Sequence, residues 1–232
     1  MTASLDEAAL DNPVWSSLAL RHARCAQGAG LALRYRSDFS PLSAMSAAAP
    51  ENVEAMRALV RIDEGIVMAG RHVPDTLPGW EVVQRLRLAQ MIRRERARLP
   101  ENIDAISTLS TADVDDMLAL VEITRPGPFC IRTVELGHFV GIRQHGRLVA
   151  MAGERLWVGD HREVSGVCTH PDAQGKGYSR ALLGRVINRM LDAGQTPFLH
   201  VECGNARAIA VYESLGFVRR AEIPAAVVKR VA

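Results

Sequence analysis

The sequence predicts an α/β protein of the α+β type, in which helices flank a mixed central sheet. Two observations lead to this prediction. Short apolar and β-branched runs, which are typical of strands, alternate with segments whose apolar residues recur every three or four positions, as in helices. In addition, a glycine-rich loop joins a strand to a long amphipathic helix between residues 163 and 191. We place a boundary at Pro100, between a smaller N-terminal α/β region, residues 1–100, and a C-terminal domain, residues 101–232.

The composition narrows the class of protein. Of the 232 residues, 48% are hydrophobic and 23% are charged, which is ordinary for a folded globular chain and excludes wholesale disorder. The net charge is +2 and the basic residues are scattered, so we expect neither a nucleic-acid partner nor a membrane partner. The basic run at residues 93–98 contains a glutamate and is interpreted as a solvated linker. Because the chain has no signal segment and no long apolar run, we expect a cytoplasmic protein.

The cysteines are widely separated and form no Cys-x-x-Cys pair. This spacing favours reduced thiols in the core over disulfides, and it gives no reason to expect a metal site. The four residues are Cys25, Cys130, Cys168 and Cys203.

The N-terminal region is predicted to contain two helices and three strands, separated by turns rich in glycine and proline. The helices are residues 12–26 and 51–62, and the strands are residues 31–35, 65–70 and 80–88. Residues 41–50 are mostly small and are interpreted as a loop. This region has no glycine-rich loop of the kind that holds a phosphate group.

The C-terminal domain is predicted to begin with a strand, a helix and three strands joined by short turns. Ser110 or Thr111 caps this first helix, residues 112–123, and aspartates in its first turns favour a helix start. The glycine-rich loop and its helix follow, and Gly194 ends that helix. A strand, a helix that starts at Asn205 and a last pair of strands complete the domain. The strands are residues 103–109, 138–143, 147–157, 163–169, 197–203, 217–222 and 225–231, with residues 144–146 as a three-residue hairpin connection.

The glycine-rich loop is suited to an anion. The first turn of a helix leaves N–H groups without partners and carries a partial positive charge. Gly175 and Gly177 allow the backbone to approach a phosphate closely, and Lys176 adds a mobile charge. The spacing differs from that of a P-loop, and Arg180 stands where a dinucleotide-binding loop needs its third glycine.

Two motifs give the loop a more specific meaning. Gln174-x-x-Gly177-x-Ser179 resembles the Arg/Gln-x-x-Gly-x-Gly/Ala motif of the GNAT superfamily of acyl-CoA-dependent N-acyltransferases, from which only the serine departs. Residues 205–217 resemble the second motif of the same family, Asn...Ala-x-x-x-Tyr-x-x-x-Gly-Phe. The order of elements in residues 103–232 is also that of the GNAT fold. For residues 1–100 two interpretations are open, a degenerate copy of this fold or an unrelated cap.

The resemblance implies an N-acetyltransferase that uses acetyl-CoA as its co-substrate. It implies that the pantetheine arm pairs with the backbone of one strand and that the pyrophosphate lies on the N–H groups of the loop. The residues that would bind CoA in this way are Val167, Cys168, Thr169, Gln174, Gly175, Lys176, Gly177, Tyr178, Ser179 and Asn205. Asn205 is equally suited to cap its helix.

The resemblance also implies a general acid at Tyr212, although a core tyrosine would suit the same helix. A phenol with a pKa near ~10 can protonate a departing thiolate of comparable basicity. The base that deprotonates the acceptor amine is open. We rank Glu163, which begins the central strand, ahead of Glu154 and Glu202, and His170 is a further candidate. Each of these residues is also of a type that commonly lies ion-paired or solvated on a surface.

Two functions from different classes remain open at this point. One is transfer of an acetyl or other acyl group to a small-molecule amine, an amino acid or a peptide. The other is a binding module that senses acyl-CoA without turnover. The sequence contains no motif that identifies the acceptor, and a homodimer is compatible with either function.

Overall fold

The computed structural model describes residues 7–96, 98–99 and 105–232. Within these residues, eleven strands form one mixed sheet and five α-helices lie against it. This architecture confirms the predicted fold class, a mixed central sheet flanked by helices. The predicted boundary at Pro100 lies outside the described residues.

The helices and strands have the following bounds. The helices are α1, Pro13–Ala19; α2, Pro50–Leu59; α3, Val114–Thr124; α4, Tyr178–Asp192; and α5, Ala206–Glu213. The strands are β1, Ala26–Ala29; β2, Ala32–Tyr35; β3, Leu42–Met45; β4, Gly65–Ala69; β5, Trp80–Ile92; β6, Ile106–Leu109; β7, Phe139–Gln144; β8, Arg147–Val158; β9, His161–Thr169; β10, Thr196–Glu202; and β11, Val218–Arg230.

The ends of the two main C-terminal helices follow local chemistry. Ser110 and Asp113 form a capping box around the 3₁₀ turn Thr111–Asp113 that leads into α3. Gly194, two residues after α4, has a φ of +73°, a left-handed conformation that glycine adopts without strain. Both features agree with the predicted helix start and stop.

The strands follow the spatial order β1-β2-β3-β4-β11-β5-β10-β9-β8-β7-β6. Strands β6 to β9 pair antiparallel with their neighbours in sequence, whereas β10 runs parallel to β9. A parallel pair needs a crossover connection, and α4 provides it. The glycine-rich loop therefore lies at the carboxyl end of β9, where the chain turns from the sheet into α4.

The sheet has two covered faces. On the first, which we call the α4 face, Leu182 and Val186 of α4 pack against Val164 and Leu199 of the strands. On the opposite face, the α1 face, α1 packs over Phe198 and its neighbours, and α3 packs beside it over β7 and β8. Side chains alternate between the two faces along each strand, so position along β9 and β10 decides which face a residue serves.

The two predicted parts of the chain exchange strands at the centre of the sheet. β5, from the N-terminal region, pairs with β10 of the C-terminal domain. β11, the last strand, pairs with β4 of the N-terminal region. β5 and β11 also pair with each other along most of their length. The hydrogen-bond ladders are therefore continuous across the predicted boundary.

The N-terminal strands repeat the order of the C-terminal strands. β1, β2 and β3 are antiparallel neighbours, and β4 runs parallel to β3 after the crossover helix α2. β7, β8 and β9 are likewise antiparallel neighbours, and β10 runs parallel to β9 after the crossover helix α4. The two series flank the central β11–β5 pair on opposite sides.

Several predicted boundaries were wrong. The helix predicted for residues 12–26 ends at Ala19, and β1 begins at Ala26 and pairs with β2. The segment predicted as a loop, residues 41–50, contains β3, a short strand stabilised by ladders to β2 and β4. β5 continues to Ile92, four residues beyond its predicted end, because β10 and β11 pair with it there.

The last predicted pair of strands is in fact the single strand β11. The predicted gap at residues 223–224 contains Pro224, which lies one residue before the ladder to β4 begins at Ala225. Its carbonyl accepts a hydrogen bond from Gly70 N at 3.2 Å. The connection between β7 and β8 has two residues instead of three. Both of them, His145 and Gly146, have positive φ, as a tight hairpin turn requires.

Residues 93–96 are less solvated than a linker would be. Arg93 is buried, and its Nε donates to Leu215 O at 2.8 Å. Arg94 donates two hydrogen bonds to the carboxylate of Glu7, both at 2.9 Å. None of the helices in the described ranges is long and apolar enough to cross a membrane.

Candidate active site

β9 and β10 separate within the sheet. Residues 161–163 pair with residues 196–198, and no further pair joins the two strands in the described chain. The ladder between β8 and β9 is also irregular next to Gly166, whose φ is +62°. The second half of β9 therefore has a ladder partner on the β8 side only, and its other edge faces the opening between the strands. Such an edge can pair with an extended ligand as if the ligand were an added strand.

A cleft of about 430 Å³ lies beside this opening. It is bounded by the second half of β9, the loop before α4 and the exposed side of α5. All predicted CoA-binding residues except Lys176 line the cleft, as does Tyr212: Val167, Cys168, Thr169, Gln174, Gly175, Gly177, Tyr178, Ser179 and Asn205. Residues that are up to 45 positions apart in sequence are thus brought to one place.

The loop before α4 has the conformation that its glycines suggested. Gly175 and Gly177 have φ values of +78° and +77°, which glycine adopts without strain. No heavy atom lies within 4 Å of the point where a Cβ would stand on either residue, so their φ values, and not crowding, call for glycine. Gly177 immediately precedes α4, whose first N–H groups point towards the loop without intrahelical acceptors. The loop therefore presents donors and a positive dipole end to an anion.

Two cationic side chains near the loop have no carboxylate partner among the described residues. The Lys176 ammonium contacts Gln144 Oε1 at 3.4 Å, and Arg207 lines the cleft from the first turn of α5. Gln144 is itself held by a 2.6 Å hydrogen bond from its Nε2 to the Tyr178 hydroxyl. These charges are available to a phosphate group.

Tyr212 lies where α5 faces the cleft. Burial raises the pKa of its phenol to about 12, so the hydroxyl keeps its proton at neutral pH. Its ring packs edge-on against Phe217, with the centroids 6.0 Å apart. Within the described chain its hydroxyl makes no hydrogen bond, so the proton can be donated to a ligand.

Asn205 and Cys168 have structural roles in the cleft wall. Asn205 Oδ1 accepts a hydrogen bond from Ala208 N at 3.1 Å and so caps α5, which leaves its side-chain N–H₂ group for a ligand. Burial raises the pKa of the Cys168 thiol to about 11. This thiol is therefore a poor nucleophile at neutral pH.

Glu163 lies on the α1 face and does not line the cleft. Its two oxygens accept hydrogen bonds from Arg155 at 2.8 and 3.0 Å, and one of them also contacts His200 Nδ1 at 2.8 Å. Burial alone would raise the pKa of this carboxyl group, but Arg155 and His200 outweigh burial and hold the pKa well below its usual range. A base must accept a proton near neutral pH, so these contacts argue against the predicted role of Glu163.

Glu154 is also engaged in ion pairs. Its oxygens accept hydrogen bonds from Arg162 Nε at 2.9 Å and from Arg189 Nη1 at 2.7 Å, and its side chain is 2% exposed. It lies on the α4 face beside Gly137, where a Cβ would stand 2.5 Å from the Glu154 Cβ. This position suits a structural ion pair better than a base that meets substrate.

Glu202 differs from the other two carboxylates. It is exposed, and its carboxylate has no hydrogen bond or ion pair in the part of the chain that the structure describes. It pairs with Leu88 of β5 at the end of β10, and it follows Phe198 at an even spacing, which puts it on the α1 face. Like Glu163, it does not line the cleft, but among the three predicted acids it is the one whose carboxylate is exposed and has no partner in the described residues.

A buried chain of hydrogen bonds extends from Glu163 across the α1 face. Because the ionised Glu163 can only accept, His200 Nδ1 is the donor in their contact, and His200 Nε2 lies 3.0 Å from Gln90 Nε2. Gln90 is oriented by Arg220, which donates to its Oε1 at 2.8 Å, and by Leu10 O, which accepts from its Nε2 at 2.8 Å. Sequence analysis did not find this chain because its members are scattered along the sequence.

His170 is held at the turn after β9. Its Nδ1 accepts a hydrogen bond from Asp172 N at 3.2 Å, and its Nε2 lies 2.6 Å from Arg147 Nη2. Both ring nitrogens therefore have partners. Elsewhere in the described ranges, no group of three or more His, Cys, Asp or Glu side chains is arranged to hold a metal ion.

Known acetyltransferases are similar in sequence to the part of the chain that forms this cleft. The model of the acetyltransferase (GNAT) family matches residues 107–217. The L-amino acid N-acyltransferase MnaT of Escherichia coli K12 is 33% identical over 122 residues, which are 52% of this chain and 68% of that protein. The bS18-alanine N-acetyltransferase of the same organism is 39% identical over 77 residues, 33% of this chain and 51% of that protein. The chain therefore matches from about half to just over two thirds of the length of these relatives.

Solved structures extend the likeness to the N-terminal region. The crystal structure of a GNAT-family protein from Novosphingobium aromaticivorans is 34% identical and has a TM-score of 0.89, over 97% of this chain and 99% of that one. A GCN5-related N-acetyltransferase from Kribbella flavida has a TM-score of 0.65 over 98% of this chain and 96% of its own, at 15% identity. The second comparison concerns the fold alone.

Proposed function

Because this chain belongs to the GNAT acetyltransferase family, we propose that it transfers an acetyl group from acetyl-CoA to the nitrogen of a primary amine. One observation carries the proposal. The phosphate-sized loop, the opening between β9 and β10, and the Tyr212 hydroxyl all border one cleft. A chain that only sensed acyl-CoA would need the loop and the opening, but it would not need a buried proton donor beside them.

The proposed binding mode follows the shape of the cleft. The pyrophosphate of CoA lies on the N–H groups of the loop at residues 174–179, with Lys176 and Arg207 as nearby counter-charges. The pantetheine arm pairs with the open edge of β9 at residues 167–169. The side-chain amide of Asn205 donates a hydrogen bond to this arm from the other side of the cleft. The thioester then lies in the opening between β9 and β10.

The proposed reaction is a direct displacement. The amine nitrogen attacks the thioester carbonyl carbon, a C–N bond forms, and the C–S bond breaks. Unpaired backbone N–H groups at the edge of β9 stabilise the oxyanion, and Tyr212 gives its proton to the departing thiolate. The amine loses its proton, through water, to the exposed carboxylate of Glu202. Glu163 keeps its charge throughout, as the acceptor of the Arg155 and His200 hydrogen bonds.

An α-amino group is the proposed acceptor class. One named relative is an L-amino acid N-acyltransferase and the other acts on an alanine of ribosomal protein bS18. An α-amino group has a pKa near ~8, so a weak base suffices to deprotonate it. A lysine side chain, with a pKa near ~10, is harder to deprotonate.

Thiol release tests the proposal directly. The protein is incubated with acetyl-CoA and a panel of amines, the free thiol is measured with a dye, and the N-acetylated product is identified by mass spectrometry. We expect thiol release that depends on an α-amine, together with one acetylated product per thiol. Binding of CoA without release of thiol for any amine would contradict the proposal and would indicate an acyl-CoA sensor.

A further inference from the structure

Among the described residues, none fully covers an apolar area on the α1 face of the sheet beside the opening between β9 and β10. Glu202 of β10 pairs with Leu88 of β5, and Leu86 follows two positions along the same strand. Paired residues on adjacent strands share a face, as do alternate residues on one strand, so all three side chains are neighbours. We call Leu86, Leu88 and Glu202 the acceptor strip.

Exposure distinguishes the acceptor strip from the residues that follow it along β5 on the same face. Gln90 and Ile92, the next two residues of β5 on this face, are fully buried. Leu88 and Leu86 are half-buried, although both pack against the core under α1, and Glu202 is exposed. The cover over the α1 face thus ends where β10 has lost β9 as a neighbour. An open apolar surface starts at the place where the opening allows access to the thioester.

The charge and dimensions of the strip fit one kind of molecule. Glu202 has no cationic partner in the described chain, so it can attract an ammonium group. Paired side chains on adjacent strands stand about 5 Å apart and alternate residues on one strand about 7 Å apart. The apolar part of the strip therefore begins within a few ångströms of the carboxylate. An amine with an apolar side chain on the neighbouring carbon matches this arrangement.

We infer that the acceptor strip binds the acceptor, and that the acceptor is an α-amine with an apolar side chain. The ammonium lies at Glu202, and the side chain covers Leu88 and Leu86. The inference rests on the proposed function and specifies its substrate class. It also assigns part of the choice of acceptor to the N-terminal region, because β5 lies outside residues 107–217, the segment that matches the family model.

Leu88→Thr tests the inference, with Val82→Thr as its matched control. Threonine suits an exposed strand position but removes most of the apolar contact. Val82 lies on the same strand and is 40% exposed, but it pairs with Val228 of the core under α2, which lies on the opposite face. Acetylation is measured with glycinamide, alaninamide, leucinamide and aspartamide, the last being the α-amide of aspartic acid. These acceptors present the same α-amine with different side chains.

The expected result is a change in selectivity. The parent protein acetylates leucinamide with a higher kcat/KM than glycinamide or aspartamide. Leu88→Thr lowers the leucinamide-to-glycinamide ratio about tenfold, through a higher KM for leucinamide, because a lost methylene contact in an apolar site is worth about tenfold or more. The KM for acetyl-CoA stays at the parent value. Val82→Thr leaves the ratio unchanged, and Leu86→Thr, farther from Glu202, lowers it less than Leu88→Thr does.

Two other results would contradict different proposals. Acetylation with an unchanged leucinamide-to-glycinamide ratio in both leucine variants, or a parent preference for aspartamide, would overturn this inference and leave the proposed function intact. Failure of the parent protein to acetylate any amine would overturn the proposed function, and the inference with it.

Discussion

Tyr212 joins two properties that a proton donor needs. Its hydroxyl borders the cleft, and burial raises its pKa to about 12, so the phenol stays protonated throughout the range in which the protein would work. A thiolate that leaves acetyl-CoA is basic enough to take this proton when the two atoms are in contact. The pKa also predicts that Tyr212 causes no loss of activity with rising pH below about pH 11.

Tyr212→Phe keeps the ring and its packing on Phe217 but removes the proton. We expect kcat to fall about 10- to 1000-fold, with little change in the affinity for acetyl-CoA. Steady-state kinetics and calorimetric titration measure the two quantities. A variant with the parent kcat would remove Tyr212 from the mechanism.

Substitution by glutamine is expected to lower stability at Glu163 and to lower kcat at Glu202. Glu163→Gln removes the charge that balances Arg155, and loss of one partner of a buried ion pair costs about 3–5 kcal/mol, which is a fall in melting temperature of roughly 10 °C. Glu202→Gln removes an exposed, unpaired carboxylate, so stability is unchanged but kcat falls near neutral pH and recovers at high pH, where the amine deprotonates unaided. Thermal melts and pH–rate profiles of both variants decide between the two acids. An unchanged pH profile in Glu202→Gln would contradict its role as base.

The pH dependence of stability follows from the same carboxylate. The folded protein holds the pKa of Glu163 below its unfolded value, so the stabilisation is complete above a pH of about 4.5 and is lost as the pH falls below it. We expect this acid-induced loss to be smaller in Glu163→Gln, because the variant no longer has the carboxylate. Melting temperatures measured between pH 3 and pH 7 test this expectation.

The sequence predicted residues that line the cleft, but it could not show which carboxylates have partners in the fold. Gly177, Asn205 and Tyr212 belong to motifs with fixed spacing. Such a motif can be recognised in the sequence without knowledge of the fold. Whether a carboxylate is free depends on partners that are distant in sequence, such as His200 beside Glu163. Alternation along a strand could place Glu163 on a face, but it could not reveal that Arg155 occupies both of its oxygens.

Among the elements, β9, its loop and α4 were predictable because each carries its own local signal. β-branched residues mark the strand, glycines mark the turn and a regular apolar stripe marks the helix. β3 lacked such a signal, since Leu42-Ser-Ala-Met45 is short and mostly small, and it is a strand because β2 and β4 pair with it. The predicted gap at residues 223–224 is part of β11, because β5 pairs with the strand on both sides of it.

The two crossover helices differ at their N-termini, although they occupy corresponding places in the two series of strands. α4 follows glycines with positive φ. α2 follows Ala48 and Ala49, begins with Pro50 and carries Glu51 in its first turn, where a carboxylate repels an anion and already stabilises the dipole. We therefore expect the start of α2 to reject a pyrophosphate.

This difference predicts one CoA per chain. Calorimetric titration of CoA into the parent protein gives the stoichiometry, and the expected value is about one. A stoichiometry near two would show that the start of α2 also binds CoA and would contradict this account of the N-terminal region.

At the scale of the whole molecule, β5 and β11 connect the two parts of the chain. Each pairs with a strand of the other part and with its counterpart. Because β1 to β4 and α2 repeat the order of β7 to β10 and α4, we propose that residues 1–100 are a degenerate copy of the C-terminal fold. In this proposal the copy has lost its phosphate loop but has kept its place in the sheet.

The exchange of strands predicts that the C-terminal domain does not fold alone. Residues 105–232 would expose the β10 edge and leave β11 without either of its partners. We expect this fragment to be insoluble or unfolded by circular dichroism. A full chain cut at a protease site inserted after residue 100 should instead remain associated in size-exclusion chromatography. A folded, active fragment 105–232 would refute the prediction.

The central claim is that the loop before α4 binds the pyrophosphate of CoA, and calorimetric CoA titration of Gly177→Asp beside Gly194→Asp tests it most directly. Both glycines have similar positive φ and open space around them, so the two substitutions carry a similar backbone cost, but they lie at opposite ends of α4. At about 4 Å and an effective dielectric of about 20, an added carboxylate repels a phosphate charge by ~4 kcal/mol. Half of this is more than a tenfold loss of affinity. We expect that loss in Gly177→Asp and parent affinity in Gly194→Asp. Equal CoA affinity in the two folded variants would show that the pyrophosphate binds elsewhere.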